Sequence, residues 1–204
     1  MSEEVNASKI ILSLFDYTGN WSKPYEDNGY TVIKVDRKAG KDAILYPSDM
    51  SEGPRYPREF ADIRLHEPVY GILAAPPCTY FAGTGAKWPR SDDEILDGLG
   101  AVDACFRLAY VLKPRFFCLE NPVGKLSKWI GDPVMRFQPC DYGDPYTKRT
   151  CLWGWFNTDL KKTPVEPTEG SKMHRLYGGK SEKTKMMRSI TPMGFANAFY
   201  EANK

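Results

Sequence analysis

Short apolar runs, each closed by polar or turn-forming residues, set out the elements of the chain. Residues 10–15, Ile-Ile-Leu-Ser-Leu-Phe, read as a buried strand that stops in the turn Asp16-Tyr17-Thr18-Gly19-Asn20. A weakly patterned helix follows from about Ser22 to Asn28, and Tyr30 to Val35 reads as a second strand ending at Asp36. Residues 37–60 are rich in Pro, Gly, Asp and Arg without periodicity, and much of that stretch is expected to be loop. Val69 to Ala75 is the third strand, closed by Pro76-Pro77.

From Ser91 the period changes. Ser91 caps, Asp92, Asp93 and Glu94 suit a first helical turn, and Ile95, Leu99, Val102, Phe106 and Ala109 recur at spacings of three and four until Pro114. Phe116 to Leu119 reads as a fourth strand, so this is a strand, helix, strand unit of the kind that forms parallel crossovers. Met135-Arg136-Phe137 and Thr150 to Phe156 are later strands, Lys161 to Arg188 is polar, basic and turn-rich, and a helix near Met193–Ala202 closes the pattern. The whole is an α/β chain without repeats or an interdomain linker.

Composition adds bounds. The 204 residues, 42% hydrophobic and 26% charged, suffice for one core, and no apolar stretch has the length of a membrane helix. The opening Ser2-Glu3-Glu4 lacks the pattern of a signal peptide, so a cytoplasmic location without membrane partners is expected. The formal charge of +2 is unevenly spread: residues 1–120 carry −4 and residues 121–204 carry +6. A polyanion would be received by the second segment. Five separated cysteines, no CxxC pair and only His66 and His174 fit reduced thiols and no metal site.

Several residues fall where strands of such a sheet end. Gly19 lies in the turn after the first strand and Asp36 after the second: either the turn approaches a cofactor and the carboxylate accepts from ribose hydroxyls, or they are an ordinary loop glycine and a solvated aspartate. Asp62 either receives an adenine amino group or caps a turn, and Phe15 either lines a base pocket or packs in the core. Pro76-Pro77 fixes a rigid turn holding Cys78, either a nucleophile or an inert packed thiol. Glu120-Asn121-Pro122 follows the fourth strand, so Glu120 should emerge on the same sheet edge as Cys78. A carboxyl group there protonates a ring nitrogen and makes the adjacent carbon electrophilic toward a thiolate.

On these residues the chain resembles the C5-cytosine DNA methyltransferases, in particular compact phage-type members with a reduced recognition region. The elements are Leu14 to Gly19, Asp36, Asp62, Pro76-Pro77-Cys78, Glu120-Asn121-Pro122, Tyr142 to Arg149 and Thr191 to Ala196, in the family's order over about residues 10–200. It departs from the pattern at Tyr17 and Asn20, at Pro122, and at Cys151, where a second arginine is usual.

The resemblance implies a Rossmann-like S-adenosylmethionine-dependent methyltransferase fold with a mostly parallel central sheet, one domain over residues 1–204. S-Adenosylmethionine, leaving as S-adenosylhomocysteine, would sit against Phe15, Asp16, Tyr17, Thr18 and Gly19, with Asp36 toward ribose, Asp62 toward adenine and Pro76 alongside. It further implies that Cys78 attacks cytosine C6, Glu120 engages N3, Asn121 holds the loop and Arg149 contacts the base carbonyl. Pro77, Lys148, Arg149, Lys172 and Arg175 would meet the substrate.

Residues 153–190 would be a reduced recognition segment, supplemented by an accessory recognition protein where needed. Lys161, Lys162, Lys172, Arg175, Lys180, Lys183, Lys185 and Arg188 either contact phosphate there or form a solvated surface. Trp88, Trp129, Trp153 and Trp155 are expected mainly in the core rather than stacked on a base. Two other readings remain open: the same chemistry on RNA or a free cytosine nucleotide, and a non-catalytic DNA-binding or partner-binding protein on a degenerate methyltransferase fold. A phage source would place the protein in the host cytoplasm.

Overall fold

A computed structural model describes residues 6–36, 68–83, 89–177 and 181–204. Asp62, His66, Trp88, Lys180 and the 37–60 stretch lie outside the described residues, as does the His174 side chain.

Among the described residues six strands form one sheet: β1 (Ile10–Leu14), β2 (Thr31–Val35), β3 (Val69–Ala74), β4 (Phe116–Pro122), β5 (Met135–Phe137) and β6 (Thr150–Trp155), in the order β2-β1-β3-β4-β6-β5. The first four pair in parallel, and β6 runs antiparallel to both β4 and β5. This α/β arrangement with a mostly parallel sheet is compatible with a Rossmann-like fold.

Helices cover both faces. On one, α2 (Asp92–Leu112) buries Val102, Cys105, Leu108 and Ala109 against Leu12, Leu14, Phe117 and Leu119. It begins as the sequence predicts: the Ser91 hydroxyl accepts from the Glu94 N–H, and the Glu94 carboxylate accepts from the Ser91 N–H. On the other face, α1 (Lys23–Asp27) and the final helix, α6 (Met193–Asn203), pack Tyr25, Phe195 and Phe199 against Ile11, Leu73, Phe116 and Leu152. The Phe137 and Phe195 rings stack with centroids 3.8 Å apart. Complete burial of Phe195 and Phe199 contributes about 1.5–3 kcal/mol each.

Two expectations change. β4 runs past Leu119 to Pro122, because β6 continues the pairing as Glu120↔Leu152, Asn121↔Cys151 and Pro122↔Thr150 after the β3 partnership has ended at Ala74↔Leu119. Glu120 is therefore the end of a strand rather than the start of a loop. The polar 161–188 stretch also contains α4 (Lys172–Arg175) and α5 (Glu182–Ser189), in addition to α3 (Ser127–Ile130) earlier in the chain. Ser181 caps α5 by accepting from the Thr184 N–H, and a mostly polar helix of this length leaves no apolar period to read.

Because β6 is reversed, it begins at the end where the parallel strands finish. The residues just before Thr150 thus arrive beside Glu120.

Candidate active site

The turn after β1 is built around Asp16, which is buried. Its Oδ1 accepts from the Gly19 N–H at 3.0 Å and the Thr18 hydroxyl at 3.2 Å. Its Oδ2 accepts from the Ser13 hydroxyl at 3.0 Å and from the Ser22 hydroxyl and N–H at 3.2 and 3.4 Å. The carboxylate shapes the turn and has no capacity left for a ligand. Phe15 precedes it at φ +60°, a backbone state that costs a bulky residue about 1–3 kcal/mol. Its N–H donates to Val35 O at 2.8 Å, continuing the pairing of β1 with β2 to the start of the turn. Tyr17 is exposed, Gly19 takes φ +71°, and half-buried Asp36 follows β2 at the same end of the sheet.

Cys78 is half-buried, between buried Pro76 and exposed Pro77 on one side and the buried Phe81 on the other. Its loop is pinned at both ends to the segment carrying Glu120. The Asn121 side chain donates to Pro76 O at 2.9 Å, while Gly83 N–H donates to Val123 O and Lys125 N–H to Phe81 O. A side chain at Gly124 would run into the Phe81 carbonyl, so glycine is required where these two segments cross. Tyr80 fastens the loop to α2 by donating to Asp97 at 3.2 Å.

Glu120 and Lys148 form an ion pair at 3.6 Å, with side chains 12% and 13% exposed. The Lys148 ammonium also donates to the main-chain carbonyl of Arg188, in the last turn of α5, at 3.1 Å. Burial pushes the Cys78 thiol above its ordinary value; Lys148 pulls it back, Glu120 pushes it up, and Arg188 pulls it down. The Cys78 thiol, in the loop after β3, thus lies within electrostatic reach of Glu120 on β4, Lys148 on the approach to β6 and Arg188 on α5.

Arg149 is exposed at the start of β6, and its carbonyl accepts from the Val123 N–H. Cys151 is buried; burial raises its thiol, opposed first by Arg136. Cys105 and Cys118 are buried and raised by the same cause, each with a carboxylate adding to it, so Cys78 differs from them in having the cations Lys148 and Arg188 opposing the rise.

The recognition candidates divide. Lys172 pairs with Glu169 at 2.6 Å and lies over the Tyr146 ring, and Arg175 donates to Glu169 O, so both staple their own turn. Trp153 is buried and donates to Gly131 O, whereas Trp129 and Trp155 are exposed. A shallow depression of about 300 Å³ beside Phe116, Trp155 and Lys204 lies at the opposite end of the sheet.

Sequence reasoning missed the Lys148–Glu120 pair and the part played by Arg188, since contacts across such separations leave no local signal. It also missed the inward use of Asp16, for which the buried Ser13 in an otherwise apolar strand was the available clue. Among the described residues no helix is long and apolar enough to cross a membrane. No protein-family model matches the chain, and no curated protein matches it.

Proposed function

We propose that the protein transfers a methyl group from S-adenosylmethionine to C5 of cytosine in DNA, through a transient bond between Cys78 and C6. The observation that carries this reading is the convergence of Cys78 with Glu120 at the carboxyl end of adjacent parallel strands, with the β1 turn and Asp36 at the same end.

The β1 turn suits the cofactor. Phe15 and Gly19 take left-handed backbone on either side of Asp16, whose carboxylate is consumed internally, and the Lys34 ammonium lies against Gly19. The turn from Phe15 to Gly19 and Pro76 would hold S-adenosylmethionine, with Asp36 on the ribose hydroxyls and Asp62 assigned to adenine by resemblance alone. When bound, it supplies an electrophilic methyl group and leaves as S-adenosylhomocysteine.

The remaining chemistry belongs to the chain. The Cys78 sulfur adds to C6, Glu120 holds the proton at N3, and the displaced electron pair reaches C5, which becomes nucleophilic. Loss of the C5 proton then allows the S–C6 bond to break and restores Cys78. Asn121 keeps the loop in register with Glu120, and the cations Lys148 and Arg149 face the polarised base. A cytosine in a duplex must be extruded to reach this site. Basic α5 supports DNA as the substrate: its last turn, at Arg188, is bonded to Lys148, and the same helix carries exposed Lys183 and Lys185.

The test is mass spectrometry of nucleosides after separate incubations with duplex DNA, single-stranded DNA, RNA and dCMP. 5-Methylcytosine is expected from DNA with the native protein and not with Cys78→Ala. Product from RNA or dCMP alone would change the substrate, and no product from any of the four by folded protein would overturn the reading.

A further inference from the structure

The segment after β4 carries a feature the proposed chemistry leaves unused. From Lys125 the chain turns helical, with Lys128 N–H donating to Lys125 O and Trp129 N–H to Leu126 O, and α3 follows. Leu126 is fully buried and Ile130 packs against the core beneath α2, so Lys125 and the residues three and four beyond it, Lys128 and Trp129, share the outward face. Trp21 and Trp153 are buried, and Trp155 is fastened by its indole N–H to Pro114 O and by its ring against Phe117. Trp129 differs from all three. It is 54% exposed, and its indole has neither a hydrogen bond nor a ring contact among the described residues.

We propose that this outward face of α3 is a contact surface for the DNA strand beside the target cytosine, with one base stacked on Trp129 and phosphates at Lys125 and Lys128. The inference deepens the reading above and rests on DNA being the substrate. Charge favours a polyanion: residues 121–136 carry Lys125, Lys128 and Arg136 against Asp132 alone, and Asp132 pairs with Arg136 at 3.6 Å. The two lysines have no carboxylate partner among the described residues. The surface is also fixed in place. At its entry Lys125 N–H donates to Phe81 O at 2.7 Å, and at its exit Gly131 O accepts from the Trp153 indole at 2.9 Å. Phe81 N–H in turn donates to Cys78 O at 3.0 Å, so main-chain hydrogen bonds link the first lysine to the loop of the proposed nucleophile. A rigidly held aromatic face loses little freedom when a base stacks on it, and flanking cations suit the phosphates on either side of that base.

Binding is read by the anisotropy of a labelled cytosine-containing duplex titrated with the full chain at a series of salt concentrations. Trp129→Ala is expected to weaken binding about ten-fold, as for loss of one stacked base, and to leave the salt dependence unchanged. Trp129→Phe keeps an aromatic face and is expected to stay within about three-fold of the native protein. Lys125→Met and Lys128→Met are each expected to lower the slope of log Kd against log salt by about one. Trp155→Ala removes an exposed indole at the opposite end of the sheet and is expected to bind as the native protein does.

Native-like binding by Trp129→Ala would overturn the proposal and leave the patch to a protein partner. An equal loss from Trp155→Ala, a loss that Trp129→Phe shares in full, slopes unmoved by both lysine variants, or no binding of the duplex by the native protein would overturn it as well. Formation of 5-methylcytosine is scored on the same duplex, which separates this surface from the chemistry. Methylation together with native-like binding by Trp129→Ala rejects the surface and keeps the reaction. Binding that depends on Trp129 in a protein that forms no methylated product keeps the surface and rejects the reaction.

Discussion

Asp16 and Glu120 are both acids at the carboxyl end of the parallel strands, and they are used in opposite ways. Asp16 spends both oxygens on five donors within its own turn, from Ser13, Thr18, Gly19 and Ser22. Among the described residues Glu120 has one ionic partner, Lys148, at 3.6 Å. A saturated carboxylate fixes a shape, and one with a single partner keeps acceptor capacity for a ligand. Position at the strand end is shared; what separates the two is how many donors the fold has already assigned.

The sharpest way to break that comparison is to remove the acid function from each. Glu120→Gln is expected to lower 5-methylcytosine formation by about 10²–10⁴-fold, measured as initial rate on the preferred substrate. Its effect on the melting temperature is expected to be the smaller of the two variants. Asp16→Ala is expected to cost about 2–4 kcal/mol, since it leaves buried hydroxyls and a main-chain N–H without their acceptor. Thermal unfolding would show this as a fall of roughly 10 °C. If Asp16→Ala melts like the native protein, the turn does not depend on its internal bonds.

A smaller effect sharpens the same division at the surface. Lys172→Gln breaks the pair with Glu169, and it is expected to change stability by no more than about 1 kcal/mol, as for other partly exposed pairs. Because Lys172 is folded onto Tyr146 and Glu169, the variant should leave the salt dependence of DNA binding unaltered. A slope reduced by about one would show that Lys172 reaches phosphate after all.

The sequence was informative where the physics is local. Apolar runs ended by Asp16, Asp36 and Pro76 mark β1, β2 and β3, and the Ser91 to Glu94 capping box with its acidic first turn marks the start of α2. The order of strand ends was enough to place Cys78 near Glu120. What it did not reveal depends on pairing across the sheet. β4 extends to Pro122 only because β6 lies antiparallel beside it, and Lys148 meets Glu120 for the same reason. Helix α5 was read as turn because its polar residues carry no apolar stripe, although the Ser181 cap is visible once the helix is known. Lys172 and Arg175 look like phosphate contacts as letters, and only the fold shows them turned back on Glu169 and its carbonyl.

The reversed course of β6 also sets a timetable. Cys78 and Glu120 precede their lysine in the chain, and Lys148 joins them only when β6 inserts beside β4. A chain cut before that point carries the sulfur and the carboxylate without their lysine, so the last strand to be made is also the one that completes the site.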